Sequence, residues 1–454
     1  MVHDLYILMI TAGVVSLLFK LMKQPVVLGY IVAGVLVGPY LFGESFVSAE
    51  NVETWGNVGV LFVLFCIGLE FRIKNLISSG KIAAIGALTI IGGMMLAGFG
   101  VGKWAGMDMM NALFLAGMLC MSSTTIVMKA VDEAGLSKAR FVKGATSILI
   151  IEDVVAVVLM VLLSSIAIRH QFEGGELIRK VVVLAVTLVA WFVVGILIIP
   201  TFLRKVKPYL NDETLIILAL GLCLGMVLTA EEAGFSSALG AFVMGTILAE
   251  TVEAHRIEKL MTPLKNVFAA IFFVSVGMMI NPANLVEYWS NILIVSLVVI
   301  FGMILFGTLG CWWGGETMKD AMQTGFSFVQ IGEFSFIIAA LGNKLQVTDP
   351  ALYPIIVAAS VVTTFLTPYI MKAAVPCYTF FYNHAPAGLR AKMDKREQEV
   401  ELAEHQTAKS DSTSSAAEKA RRAVRHTFFT KRLLDLFLKN MSANDEAHNE
   451  PKDE

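Results

Sequence analysis

The chain has 454 residues, 56% of them hydrophobic and only 16% charged. A soluble chain carries about a quarter charged residues, so this composition excludes a disordered protein and argues against a cytosolic multidomain enzyme. The last 70 residues hold 13 of the 35 Lys/Arg and 13 of the 37 Asp/Glu. Residues 1–384 are therefore about 12% charged, the composition of a polytopic membrane protein with a polar tail. The net charge of −2 gives no support to a nucleic-acid partner. Cys66, Cys120, Cys223, Cys311 and Cys377 stand singly, without CxxC or Cys/His spacing, which argues against a disulfide framework or a zinc site. The first apolar stretch lacks a basic flank and a small-residue cleavage site, so no cleavable signal peptide is read there.

A helix needs about 20 mostly apolar residues to cross the hydrocarbon of a bilayer. Thirteen such windows follow in chain order: 4–21, 25–42, 55–71, 82–102, 109–129, 141–166, 179–203, 213–230, 236–252, 262–280, 286–313, 320–342 and 350–374. With the N-terminus outside, the inner loops carry 16 Lys/Arg against 5 in the outer loops, which places the tail in the cytoplasm. Thirteen also divides as six, one and six, the pattern of an inverted repeat. The fifth and twelfth spans are then counterparts. Both carry polar interruptions: Ser122-Ser123-Thr124-Thr125 in one, Gln330-Ile331-Gly332-Glu333 in the other.

The sharpest feature is Glu152-Asp153, deep in the sixth span with no Lys or Arg between Lys143 and Arg169. A charged side chain at such depth costs at least about 2.5–3.5 kcal/mol on insertion scales, so intramembrane acids are functional candidates. Adjacent helical residues point about 100° apart, so one carboxyl is expected to face a cavity and the other a neighbouring helix. A carboxyl withdrawn from water beside a like charge keeps its proton more readily. The pair is thus expected to exchange a proton for a monovalent cation, with oxygens from Ser122, Ser123, Thr124 and Thr125 and from carbonyls freed at the helix break. Glu333, midway along the twelfth span, is read with Gln330 and Gly332 as support for the break. Glu231-Glu232 and Glu70 sit at span ends and read as boundary residues. The Met-rich stretches read as bundle packing.

The ordered motifs PVVLGYIVAGVLVGP (25–39), VGVLFVLFCIGLEF (58–71), SSTTIVMKAV (122–131), the acidic pair at 152–153, GFSSALGAFVMGTILAET (234–251), PLKNVFAAIFFVSVGMMINP (263–282) and GEFSFIIAALG (332–342) carry a resemblance. The chain resembles the membrane domain of the monovalent cation:proton antiporter-2 family, in particular its Kef-type potassium efflux branch.

The resemblance implies an all-α, sodium/proton antiporter-like fold of about 13 spans, with six-helix inverted repeats and crossed, discontinuous helices 5 and 12. It implies a homodimer whose dimer helices are about 4–71 and 213–280, with a linker helix at about 179–203. The core helices, about 82–166 and 286–374, would move by elevator-like alternating access. It makes Asp153 the essential aspartate. Relatives carry Gln, Asp or Asn at the preceding position, so Glu152 leaves open K⁺ versus Na⁺. Electrogenic relatives place a Lys in the eleventh span, where residues 291–313 hold no ionisable group except Cys311 and Met303 falls near the lysine position. One-for-one exchange is therefore expected, without a cofactor. Kef-type proteins usually continue into a dinucleotide-binding domain, and no GxGxxG follows a strand in this sequence.

The tail, 385–454, reads as a charged helical stretch (390–409), a Ser/Thr-rich hinge (410–415) and a basic amphipathic helix (416–440) able to lie on an anionic inner leaflet, followed by a disordered end. Two other readings stand beside a multi-pass secondary transporter of the inner cell membrane. One is a channel-like gated potassium pathway, which a pH gradient would not drive uphill. The other is a non-transporting sensor or assembly subunit, which would tolerate loss of Asp153. The absence of a GxxxxGK[ST] loop disfavours an ATP-driven pump.

Overall fold

The computed structural model describes residues 2–22, 24–41, 47–70, 80–167, 174–233 and 235–413. They divide into two units, one ending at Ala385 and one beginning at Pro386. The first unit is all helical: α1 (Val2–Leu21), α2 (Val26–Val37), α3 (Ala49–Glu70), α4 (Gly80–Trp104), α5 (Met109–Leu119), α6 (Thr124–Glu133), α7 (Arg140–Ala167), α8 (Gly174–Val206), α9 (Asp212–Glu232), α10 (Ser237–Ala249), α11 (Ala254–Met278), α12 (Pro282–Glu287), α13 (Trp289–Gly314), α14 (Met318–Ser327), α15 (Glu333–Lys344) and α16 (Leu352–His384). Among the described residues, eight helices are long and apolar enough to cross a membrane, with shorter apolar helices at Val26–Val37, Thr54–Glu70 and Ser237–Ala249. All thirteen apolar windows fall on helices, the fifth shared by α5 and α6 and the twelfth by α14 and α15. The protein is a multi-pass membrane protein.

Helix starts are capped where the sequence supplies short polar side chains. Asp108 accepts the Asn111 N–H at the head of α5, Asn211 that of Thr214 at the head of α9, and Thr317 that of Asp320 at the head of α14. Each cap satisfies a donor the helix cannot pair internally. The last span runs beyond the expected end at 374 because α16 continues through Pro368 and Pro376 to His384.

Helices α1, α2, α3, α9, α10 and α11 pack chiefly among themselves, and so do α4 to α7 with α13 to α16. In the first set one crossing occurs twice. A Cβ on Gly277 of α11 would lie 2.0 Å from the Ile31 carbonyl of α2, and one on Gly34 of α2 would lie 2.1 Å from the Val274 carbonyl. A Cβ on Gly245 of α10 would lie 2.1 Å from the Phe65 carbonyl of α3, and one on Gly68 of α3 would lie 2.3 Å from the Phe242 carbonyl. The pair α2/α11 maps onto α10/α3 when the first six spans are laid on the last six, so the inverted repeat is built around two equivalent backbone contacts. Small residues allow such approach where membrane helices have no hydrophobic drive to associate.

The second unit contains α17 (Ala387–Thr413), which passes through the start of the expected hinge at 410–415. The expected basic helix at 416–440 lies outside the described residues.

Candidate ion-binding site

Two spans of the α4–α7/α13–α16 set break at mid-length and meet. After α5, residues 120–123 run out of helix before α6 begins at Thr124; after α14, residues 328–332 do the same before α15 begins at Glu333. The unwound strands touch. Gly332 N–H donates to the Met121 carbonyl at 2.9 Å, and a Cβ on Gly332 would sit 2.8 Å from the Ser122 carbonyl carbon. Backbone groups freed by the breaks find side chains. Ser122 Oγ donates to Phe328 O at 3.1 Å, Gln330 Nε2 donates to Ser123 O at 3.4 Å, and Ile331 N–H donates to Thr363 Oγ1 at 3.4 Å. Ser360 Oγ donates to Ile331 O at 3.2 Å, and Thr367 Oγ1 donates to Gln330 Oε1 at 3.4 Å. Irregular backbone at membrane depth persists only when satisfied in this way.

The acids arrive from α7 and α15. Glu152 is 1% exposed; its Oε2 accepts the Ser122 N–H at 3.1 Å, while its Oε1 has no hydrogen-bond partner among the described residues. Asp153 is half-buried and accepts from Thr124 Oγ1 at 3.4 Å. Glu333, also half-buried, accepts from Ser123 Oγ at 3.2 Å. Thr124 and Glu333 are the first residues of α6 and α15, so Asp153 and Glu333 both face the N-terminal ends of half-helices. There the unpaired N–H groups and the macrodipole favour negative charge. Among the described residues no Lys or Arg forms an ion pair with any of the three carboxylates.

The structure thus brings Ser122, Ser123, Thr124, Glu152, Asp153, Gln330, Gly332 and Glu333 into one cluster. Thr125, one step around α6, is exposed. Sequence reasoning passed over the buried Ser360, Thr363 and Thr367 on α16. Their i, i+3, i+7 spacing in an apolar span was the available signal. Met303 sits at the same crossing, its sulfur 3.8 Å from Ser122 Oγ.

The sodium/hydrogen exchanger transmembrane model matches residues 7–375, most of the chain. The chain belongs to the sodium/hydrogen exchanger family. Within that family, its relatives are of the Kef type expected from the motifs. The chain is 31% identical over 385 residues to the K(+) efflux antiporter 6 of Arabidopsis thaliana, covering 82% of this chain and 63% of that protein. It is 28% identical over 381 residues to the K(+)/H(+) antiporter subunit KhtU of Bacillus subtilis (strain 168), covering 82% of this chain and 92% of that one. Several of the curated relatives it matches are longer, and the chain spans less than two thirds of their length. Its fold is that of the sodium proton antiporter MjNhaP1 from Methanocaldococcus jannaschii, with a TM-score of 0.60 and 15% identity over 82% of this chain and 97% of that one.

Proposed function

We propose that the protein exchanges a monovalent cation, K⁺ or Na⁺, for protons, with both competing for the carboxylates at the crossing of the broken helices. The observation that carries this reading is the pairing of Asp153 with Thr124 and of Glu333 with Ser123 at two helix N-termini, without a resident Lys or Arg among the described residues. Hard oxygen donors suit a small cation. A protonated carboxyl and a cation-bound carboxylate present the same net charge to the membrane, so one can replace the other during the crossing. Glu152 has the weaker case as a direct ligand, because one of its oxygens is already committed to Ser122. Exchange is one-for-one in this reading, since Met303 supplies no charge where electrogenic relatives carry lysine.

Two features are proposed alongside. The α4–α7/α13–α16 set acts as the mobile core, moving against α1–α3 and α9–α11; each set packing chiefly on itself supports this. The protein works as a homodimer in the inner membrane, with its N-terminus outside. The charge bias of the loops supports that orientation.

The test is cation-dependent proton flux in liposomes, comparing K⁺, Na⁺, Li⁺ and Rb⁺ under an imposed pH gradient. Uphill cation uptake that Asp153→Asn abolishes is the expected result. Cation movement that runs only downhill, or that survives the substitution, would defeat the proposal.

A further inference from the structure

Lys265 of α11 is held by Glu70 of α3, with Nζ 2.8 Å from Oε1. The two ends are unequally buried: the Lys265 side chain is 27% exposed and that of Glu70 54%. Both residues stand on helices of the α1–α3/α9–α11 set. Phe273 of α11 meets Phe336 of α15 edge-on, with ring centroids 6.0 Å apart, which fixes α11 beside α15. One full crossing, α13, separates α11 from the α14–α15 span, so the two run in the same direction. Three residues separate Glu333 from Phe336 and eight separate Lys265 from Phe273. At 1.5 Å per residue, Lys265 lies about 7–8 Å along the bundle from Glu333, toward the Ala254 end of α11. A flexible four-carbon stem bridges much of that gap. The ammonium acts electrostatically on Glu333 and on Asp153, and Glu70 acts on both as well. Among the described residues, the thiol of Cys66 on α3 shares the neighbourhood of Lys265 and Glu70, with Glu258 of α11 acting on it too.

We propose that Lys265 and Glu70 form a charge gate on the approach to the ion site: Lys265 competes with the cation for Asp153 and Glu333, and Glu70 draws it aside. This rests on the exchange reading above and assigns the gate a kinetic role within it. When the cation arrives, Lys265 stays on Glu70 and the acids are free. When the cation leaves, the ammonium swings toward the acids and opposes rebinding from that side. Because Lys265 belongs to the opposite helix set, it does not travel with the core, and the exchange ratio is unaffected by its charge. In this it differs from a lysine carried on α13. Lys265 and Glu70 are positioning residues here, acting on the cation through the site acids.

The two partners should move the cation KM in opposite directions. Lys265→Gln removes the competitor and leaves Glu70 as an extra attraction, so KM falls about three- to tenfold, the effect of one unit charge across partly hydrated protein. Glu70→Gln frees the ammonium to occupy the acids, and KM rises by a similar factor. The double variant returns close to wild type, while Lys265→Arg and Glu70→Asp, which keep both charges, hold the wild-type KM. Initial rates of K⁺- and Na⁺-dependent proton flux in proteoliposomes read these values. Thermal-shift titration of the detergent-solubilised protein with KCl and NaCl reads the same binding order without transport. A pair that merely fastens α3 to α11 would lower rate and stability in both single variants and move KM in one direction or not at all, and either result overturns the gate. Wild-type exchange in the same vesicles separates the failures: if it is absent, the antiport reading falls with the gate, and if it is present without opposite KM shifts, the gate alone falls.

Discussion

The Ser122 N–H donates to Glu152 Oε2 across 3.1 Å, tying the break between α5 and α6 to the middle of α7. The amide would otherwise be an unpaired donor among buried neighbours, since both residues are about 98–99% withdrawn from solvent. Glu152 is thereby a cap for the broken helix, while Asp153, about 100° further around α7, meets the Thr124 hydroxyl instead.

Glu152→Gln keeps a carbonyl oxygen for that amide and is expected to fold and to transport. Glu152→Leu strands the Ser122 N–H and costs about 1–3 kcal/mol, the penalty for an unsatisfied buried donor. Thermal unfolding of the solubilised variants, alongside flux, checks both. A folded Glu152→Gln protein without flux would make Glu152 a direct ligand.

Asp153→Asn is expected to abolish exchange while leaving the protein folded, since an amide neither ionises nor carries a proton across. Thr124→Val removes the hydroxyl beside Asp153 and should raise the cation KM about tenfold, the loss of roughly one polar contact. Flux at graded K⁺ and Na⁺ measures it; an unchanged KM would remove Thr124 from the site.

Gly277→Val drives a side chain into the Ile31 carbonyl, where even a Cβ would come within 2.0 Å. The α2/α11 crossing must then open, and the expected outcome is loss of folded protein on gel filtration. Gly221→Ala on α9 is the matched control, with nothing among the described residues within 4 Å of the added methyl. It should be stable to within about 1 kcal/mol, with helix propensity in its favour.

Arg140 at the head of α7 pairs with Asp320 in the first turn of α14, and Thr317 Oγ1 also donates to that carboxylate at 2.6 Å. Asp320→Ala removes the carboxylate while Arg140 keeps its bond to Thr317 Oγ1 at 3.0 Å, so the loss is smaller than for a fully buried pair. A clear fall in melting temperature is expected; a melt equal to wild type would show the pair to be solvated.

Some of this was legible in the sequence because it depends on local chemistry. Apolar runs long enough to span lipid gave all thirteen windows, and the two polar interruptions marked where the fifth and twelfth spans come apart. Other features were not legible. Met303 and Thr363 are ordinary membrane-helix residues until distant spans fold against the break. Glu70 reads as a boundary residue, 195 residues from Lys265 in the chain, and only the packing of α3 on α11 makes them a pair. The division of labour between Glu152 and Asp153 depends on which neighbour each meets.

The sequence by itself determined the membrane body, its inverted six-one-six plan and the depth of its acids, because the cost of burying charge and backbone in lipid acts residue by residue. Only the tertiary structure decided that Asp153 and Glu333 meet hydroxyls at a pair of helix N-termini, that Glu152 serves the backbone, and that Lys265 pairs with Glu70. Those relations follow from glycine-lined crossings of helices far apart in the chain, where close approach of two backbones sets the geometry.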